Sequence, residues 1–235
     1  MSTIQLTAPD GPIDAWLEKP DGPGPWPGVV VLHDISGVGA DIRRITRRIA
    51  DQGYLAIAPN LFARGRIRCI PGVVRDLMTN REGPAIRDIL AARSLLEADP
   101  DCTGKTAVVG FCLGGGFALL VAPRGFDAAA PFYPSGRGNY ADVLRGSCPV
   151  VATYAKLDPI NVGRANHLEQ VLAEYGVDHD IKVYPGVTHA FANELPGDAL
   201  IRVTGLGYNE MAAGDAWRRI FAFFDKYLSP GTPGD

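Results

Sequence analysis

The sequence predicts an α/β protein, a mostly parallel, doubly wound sheet with helices on both faces and an antiparallel strand pair at its amino end. Short continuous apolar runs such as 28–32 and 54–58 read as strands covered on both sides. Segments with apolar residues at helical spacing alternate with them, the order from which parallel sheets are built. At 235 residues the chain can bury a substantial core, and nothing in its composition calls for a second domain. Residues 1–228 therefore read as one domain and 229–235, rich in Gly and Pro, as a loose tail.

Residues 4–7 and 13–18 flank the turn Pro9-Asp10-Gly11-Pro12 and read as the antiparallel pair. A Gly- and Pro-dense loop leads to the 28–32 strand, which ends abruptly in His33-Asp34. Over 41–52, Ile42, Ile45, Ile49 and Ala50 share one helical face and Arg43, Arg44, Arg47 and Arg48 the solvated one, with Gly53 closing the helix. The 54–58 strand follows. Residues 60–80 are expected to form a long functional loop with at most a short helix near 73–78. A helix over 83–96 precedes a very short strand at 106–109, which runs into glycine-rich Gly110-Phe111-Cys112-Leu113-Gly114, and a helix over 113–122 follows. Strands at 127–133, 150–154 and 181–184, a helix over 163–175 and a long closing helix over 208–228 complete the alternation.

Charge and cysteine usage exclude several classes of function. A net charge of −3 gives no basic field for nucleic acid or an anionic membrane surface. No leader or membrane-length apolar run is expected, so the cytoplasm is the expected location. Cys69, Cys102, Cys112 and Cys148 form no Cys-x-x-Cys pair and no His-Glu-x-x-His helix is present. Reduced thiols are expected, with no metal and no cofactor. The expected partner is a small molecule, and no pattern specifies an oligomer.

Sites in such sheets gather at the carboxyl ends of strands, where the turn around Cys112 lies. A nucleophile on a tight strand-to-helix turn needs small residues two positions to either side, and Gly110 and Gly114 supply them. The helix start also favours thiolate over thiol. Taken alone, the turn is equally compatible with a buried structural cysteine. A phosphate loop lacks support, because no Gly-Lys-Ser/Thr follows.

A cysteine nucleophile requires a histidine base held by an acid. His167 falls within a helix, His179 precedes a strand and His33 comes before the turn. His189 follows the 181–184 strand at the carboxyl edge. Asp127, Asp178 and Asp180 lie at strand beginnings and Asp142 starts a surface helix, whereas Asp158 follows the 150–154 strand. The chain order Cys112, Asp158, His189 is that of the α/β-hydrolase fold.

Val29-Val30-Val31-Leu32-His33-Asp34-Ile35-Ser36-Gly37-Val38, Ala58-Pro59-Asn60-Leu61-Phe62-Ala63-Arg64, Gly110-Phe111-Cys112-Leu113-Gly114-Gly115 and His189-Ala190-Phe191-Ala192 stand in this order. Together they resemble the dienelactone hydrolase (carboxymethylenebutenolidase) family over about residues 4–228. The resemblance implies acyl transfer to Cys112, hydrolysis of a thioester by water activated at His189, and an oxyanion hole from the N–H groups of Ile35 and Leu113. Asp34 stands where lactone-cleaving members carry a glutamate that regulates the thiol. Asn193 stands where they carry a carboxylate-binding arginine, which implies an altered substrate pocket. Arg64 and Arg81, with Arg68 and Arg75, are candidate replacement cations, and a salt bridge fixing the loop accounts equally well for Arg64. Tyr133, Phe191 and Trp217 read as pocket lining or, more simply, aromatic core. The competing functions are a ligand sensor or redox-responsive binding protein on this scaffold, and thioesterase or acyl-transfer chemistry.

Overall fold

β1 (Ser2–Leu6) and β2 (Ile13–Glu18) pair antiparallel, with Ser2 opposite Leu17 and Leu6 opposite Ile13. From there the chain, a computed structural model describing residues 2–79, 82–136, 139–194 and 207–229 and only the backbone of 66–69, winds into one eight-stranded sheet. The strand order is β1-β2-β4-β3-β5-β6-β7-β8, with β3 (Trp26–Leu32), β4 (Leu55–Pro59), β5 (Cys102–Phe111), β6 (Ala128–Phe132), β7 (Val150–Ala155) and β8 (His179–Tyr184). Among the described residues only β1 with β2 and β2 with β4 pair antiparallel; the pairings from β4 to β8 are parallel. This is the α/β-hydrolase fold that the sequence predicts.

Side chains of a strand alternate between faces, and the core divides accordingly. Val30, Leu32, Ile57 and Val108 face one layer, formed by α2 (Arg66–Thr79), α3 (Pro84–Ala98), α4 (Leu113–Val121), α5 (Tyr140–Val143) and α6 (Arg164–Glu174). Val29, Val31, Ala58 and Val109 face the other, formed by α1 (Ala40–Ala50) and α7 (Glu210–Leu228). Tyr133, Phe191 and Trp217 are buried in this second layer, as core. Among the described residues no helix is long and apolar enough to cross a membrane.

Two local expectations are corrected. β5 begins at Cys102 rather than 106, because its first half is partly exposed and lacks the apolar run that marks its second half. The expected long loop after β4 holds α2, a 14-residue helix with Pro71 inside it. A proline at that position removes one helical hydrogen bond and, with Gly72 beside it, reads as a breaker. Burial of Val73 and Leu77 against the first layer sustains the helix nonetheless. Beyond Ser229 the expected tail lies outside the described residues.

Pro71 is exposed, so its removal opens no cavity. Pro71→Ala is expected to stabilise the chain by about 1–2 kcal/mol in urea denaturation, the helix gain being partly offset by a more flexible unfolded chain. A lower denaturation midpoint would contradict the account of α2.

Candidate active site

The carboxyl ends of β3 and β5 lie side by side, with Leu32 opposite Gly110, and Phe111 pairs with Phe132 of β6. α4 starts in the notch between them so closely that glycine is obligatory. A Cβ on Gly110 would lie 2.1 Å from the Gly114 carbonyl oxygen, and one on Gly114 would lie 2.4 Å from that of Leu32. Cys112, at the apex, has φ 52° and ψ −110°. Its N–H donates to the Phe132 carbonyl at 3.1 Å, while its own carbonyl accepts from Gly116 at 3.1 Å and Ser135 at 2.9 Å. These bonds hold a backbone conformation that costs about 1–3 kcal/mol in isolation. Among the described residues, the non-glycine positions with positive φ are Cys112, Tyr133 and Ala190, all in this region.

Asp158 follows β7 and His189 follows β8, so the parallel register brings both to the same sheet edge. His189 Nδ1 donates to Asp158 Oδ2 at 2.6 Å. Asp158, whose side chain is fully buried, also accepts from the Ile160 N–H at 2.9 Å and the Asn161 amide at 2.6 Å. Burial would raise the Asp158 carboxyl, but the hydrogen bonds from His189 and Asn161 outweigh it and hold its pKa below the ordinary value. Burial likewise opposes charge on His189. The hydrogen bond to Asp158 and the adjoining Cys112 prevail and hold the ring's pKa up at about 9. Nε2 is buried and makes no well-formed hydrogen bond, yet Cys112 lies near enough to favour the imidazolium. Such an arrangement can hold a thiol and move a proton beside it.

The loop after β3 is set by His33. Its Nε2 accepts from the Leu61 N–H at 3.1 Å, so Nδ1 carries the proton and donates to the Asp34 carbonyl at 2.6 Å. With that carbonyl turned to His33, the Ile35 N–H of the same trans peptide points the opposite way. The Asp34 carboxylate accepts from the Ser36 N–H at 2.7 Å and from the Ser36 hydroxyl. Asp34 therefore caps its own loop, and among the described residues it makes no hydrogen bond to the thiol. That contact belongs to Ser135, whose Oγ lies 3.2 Å from Cys112 Sγ. The sequence carries no sign of Ser135 or Asn161, and it shows His33 as a rejected base within a family-like motif, without its loop-setting bonds.

Two candidate substrate contacts are engaged by protein groups. Arg64 forms a two-pronged salt bridge with Asp88 at 2.7 and 2.8 Å and also donates to the carbonyls of Asp10 and Gly11. It ties the first hairpin, the loop after β4 and α3 together. Asn193 is buried, with its amide donating to Asp41 at 2.7 Å and its oxygen accepting from the Tyr133 hydroxyl. Both of its ends are thus occupied by protein. Arg81 lies outside the described residues.

Residues 13–228 match the sequence profile of the dienelactone hydrolase family. A carboxymethylenebutenolidase of Rhodococcus opacus is 30% identical over 87% of this chain and 82% of its own. Protein usf of Aquifex pyrophilus is 32% identical over 86% and 89%. A Klebsiella pneumoniae protein of known structure, provisionally assigned as a dienelactone hydrolase, is 27% identical over 96% and 98%, with a TM-score of 0.80.

Two outcomes are expected. Because the His189 pKa is raised on folding, its contribution to stability is complete below about pH 6.5 and is lost as the pH rises through about 9. The stability difference between wild type and His189→Gln should accordingly shrink between pH 6 and pH 10; a difference that grows over that range would refute the assignment. Arg64→Met leaves the buried Asp88 carboxylate without its cation and should cost about 3 kcal/mol, measured by chemical denaturation.

Proposed function

The chain belongs to the dienelactone hydrolase family, and on that premise we propose that it hydrolyses a small ester or lactone by acyl transfer to the Cys112 thiol. The name of the Rhodococcus opacus relative brings lactones within the proposed substrates. The observation that carries the reading is His189, held through Nδ1 by the buried Asp158 carboxylate with its other nitrogen buried towards Cys112. A histidine so held keeps one tautomer and one orientation as its charge changes.

In the proposed reaction the sulfur attacks the acyl carbon and the alcohol or enol oxygen departs with a proton from His189 Nε2. The resulting thioester is hydrolysed by a water that gives its proton back to the same nitrogen. The developing oxyanion is received by the N–H groups of Leu113 and Ile35. Leu113 opens α4, where the first amides have no acceptor within the helix. The Ile35 amide is aimed by the His33 bond to the Asp34 carbonyl. Preorganised donors of this kind contribute several kcal/mol, roughly 3 per donor, to lowering the barrier. An altered substrate pocket is part of the proposal: Asn193 stands where the resemblance implies a carboxylate-binding arginine, and its side chain is engaged by Asp41 and Tyr133.

The decisive experiment is turnover of an activated ester such as p-nitrophenyl acetate by wild type and Cys112→Ala. Loss of more than about a thousandfold with an unchanged circular dichroism spectrum is expected, and acid quenching during turnover should leave one acyl group on the peptide containing Cys112. Retained turnover would sink the proposal. A single acylation without further turnover would instead mark a sensor.

A further inference from the structure

Ser135 stands in the loop Tyr133-Pro134-Ser135-Gly136 after β6, and its position is held from three sides. Its N–H donates to the Cys112 carbonyl at 2.9 Å. Its own carbonyl oxygen occupies space that only a glycine at 116 leaves open, because a Cβ there would lie 2.1 Å away. The base of the loop is tied to β7 by the Tyr133 N–H, which donates to the Thr153 carbonyl at 2.6 Å. The half-buried hydroxyl is thereby fixed 3.2 Å from the Cys112 sulfur.

We propose that Ser135 is a catalytic residue whose hydroxyl donates a hydrogen bond to the Cys112 sulfur whenever that sulfur carries negative charge. The role rests on the assignment of Cys112 as nucleophile. Around the sulfur, His189 lies near enough to be one donor in the charged state, and the Asp34 carboxylate is turned to Ser36 and could only accept. A hydroxyl supplies a second donor without adding a charge. The sulfur is negative at two points of the proposed cycle, once its proton has passed to His189 and again when the thioester is cleaved. In that second step water oxygen bonds to the acyl carbon and the water proton passes to His189 Nε2. The C–S bond then breaks with its electron pair going to sulfur, and the carboxylic acid departs. The Ser135 hydrogen bond strengthens as that pair arrives and forms no covalent bond itself.

Ser135→Ala and Ser135→Thr test the role. Iodoacetamide alkylation at pH 7, followed by mass at the Cys112 peptide, reports thiolate availability. The burst and steady phases of p-nitrophenyl acetate hydrolysis separate acylation from thioester cleavage. A hydrogen bond to a charged group corresponds to a factor of about ten or more. Ser135→Ala should therefore slow the steady phase, in which the sulfur departs, about tenfold. Alkylation and the burst, in which the sulfur attacks, should both slow by a smaller factor of about three, since a sulfur with one donor fewer is less often ionised yet more nucleophilic. Ser135→Thr, which keeps the hydroxyl, should restore the steady phase to within about threefold and alkylation to near the wild-type rate.

The proposal is overturned if Ser135→Ala changes neither rate by more than about twofold, or if Ser135→Thr is as slow as Ser135→Ala, which would mark a purely structural loop. An acyl group recovered on Ser135 would overturn it as well. If Cys112→Ala keeps turning over while wild-type Cys112 alkylates normally with a Ser135-dependent rate, the nucleophile assignment fails and the hydrogen bond to the thiolate survives. Failure of the two readings is thus distinguishable.

Discussion

The amino end of α4 is driven so far into the ends of β3 and β6 that several backbones meet with no room for a side chain. That close approach at Gly110 and Gly114 raises Cys112 onto an apex with a left-handed backbone and points its neighbours at the sheet edge. Everything else in the site is placed relative to this contact. The loop after β3 lies alongside because Leu32 pairs with Gly110, and the loop after β6 is tied to the same carbonyl through Ser135. Left-handed Tyr133 and Ala190 complete a ring of constrained backbone that the packed sheet beneath must hold in place.

The electrostatics follow from burial. Asp158 is enclosed, and among the described residues its charge is supported by specific donors: the Ile160 amide, the Asn161 side chain and His189. Those bonds convert the carboxylate from an isolated liability into a fixed dipole partner for the imidazole. The same logic governs Arg64 and Asp88, which are tightly paired and remote in role from chemistry, and the buried chain from Asp41 through Asn193 to Tyr133. Polar residues near an active site can thus be fully committed to holding it together.

Most of the architecture was legible because apolar runs and helical spacings report burial directly. Gly110, Gly114, Asp158 and His189 were legible as well, since the first two answer to a local steric demand and the others to chain order in a parallel sheet. α2 was obscured by Pro71-Gly72, a local preference overridden by the packing of Val73 and Leu77. The engagements of Arg64 and Asn193 were not settled by the sequence, which left a salt bridge and a substrate contact equally open for Arg64, because their partners are distant in the chain: Asp88 lies 24 residues from Arg64, and Asp41 lies 152 from Asn193. Ser135 gave no signal for the same reason. Its significance is a tertiary contact across 23 residues, between two loops whose adjacency exists only once β5 and β6 have paired.

β8 closes the sheet on the side away from the first hairpin, and its composition bears on how the molecule behaves among its own copies. An unpaired strand edge is a template for further strands. Here Asp180 and Lys182 stand on that edge, bound to Arg219 and Asp215 of α7. Adding a strand from another molecule would mean stripping water from these charges and competing with the helix for them. Among the described residues the parallel sheet thereby ends in a border of paired charges rather than a bare apolar strand.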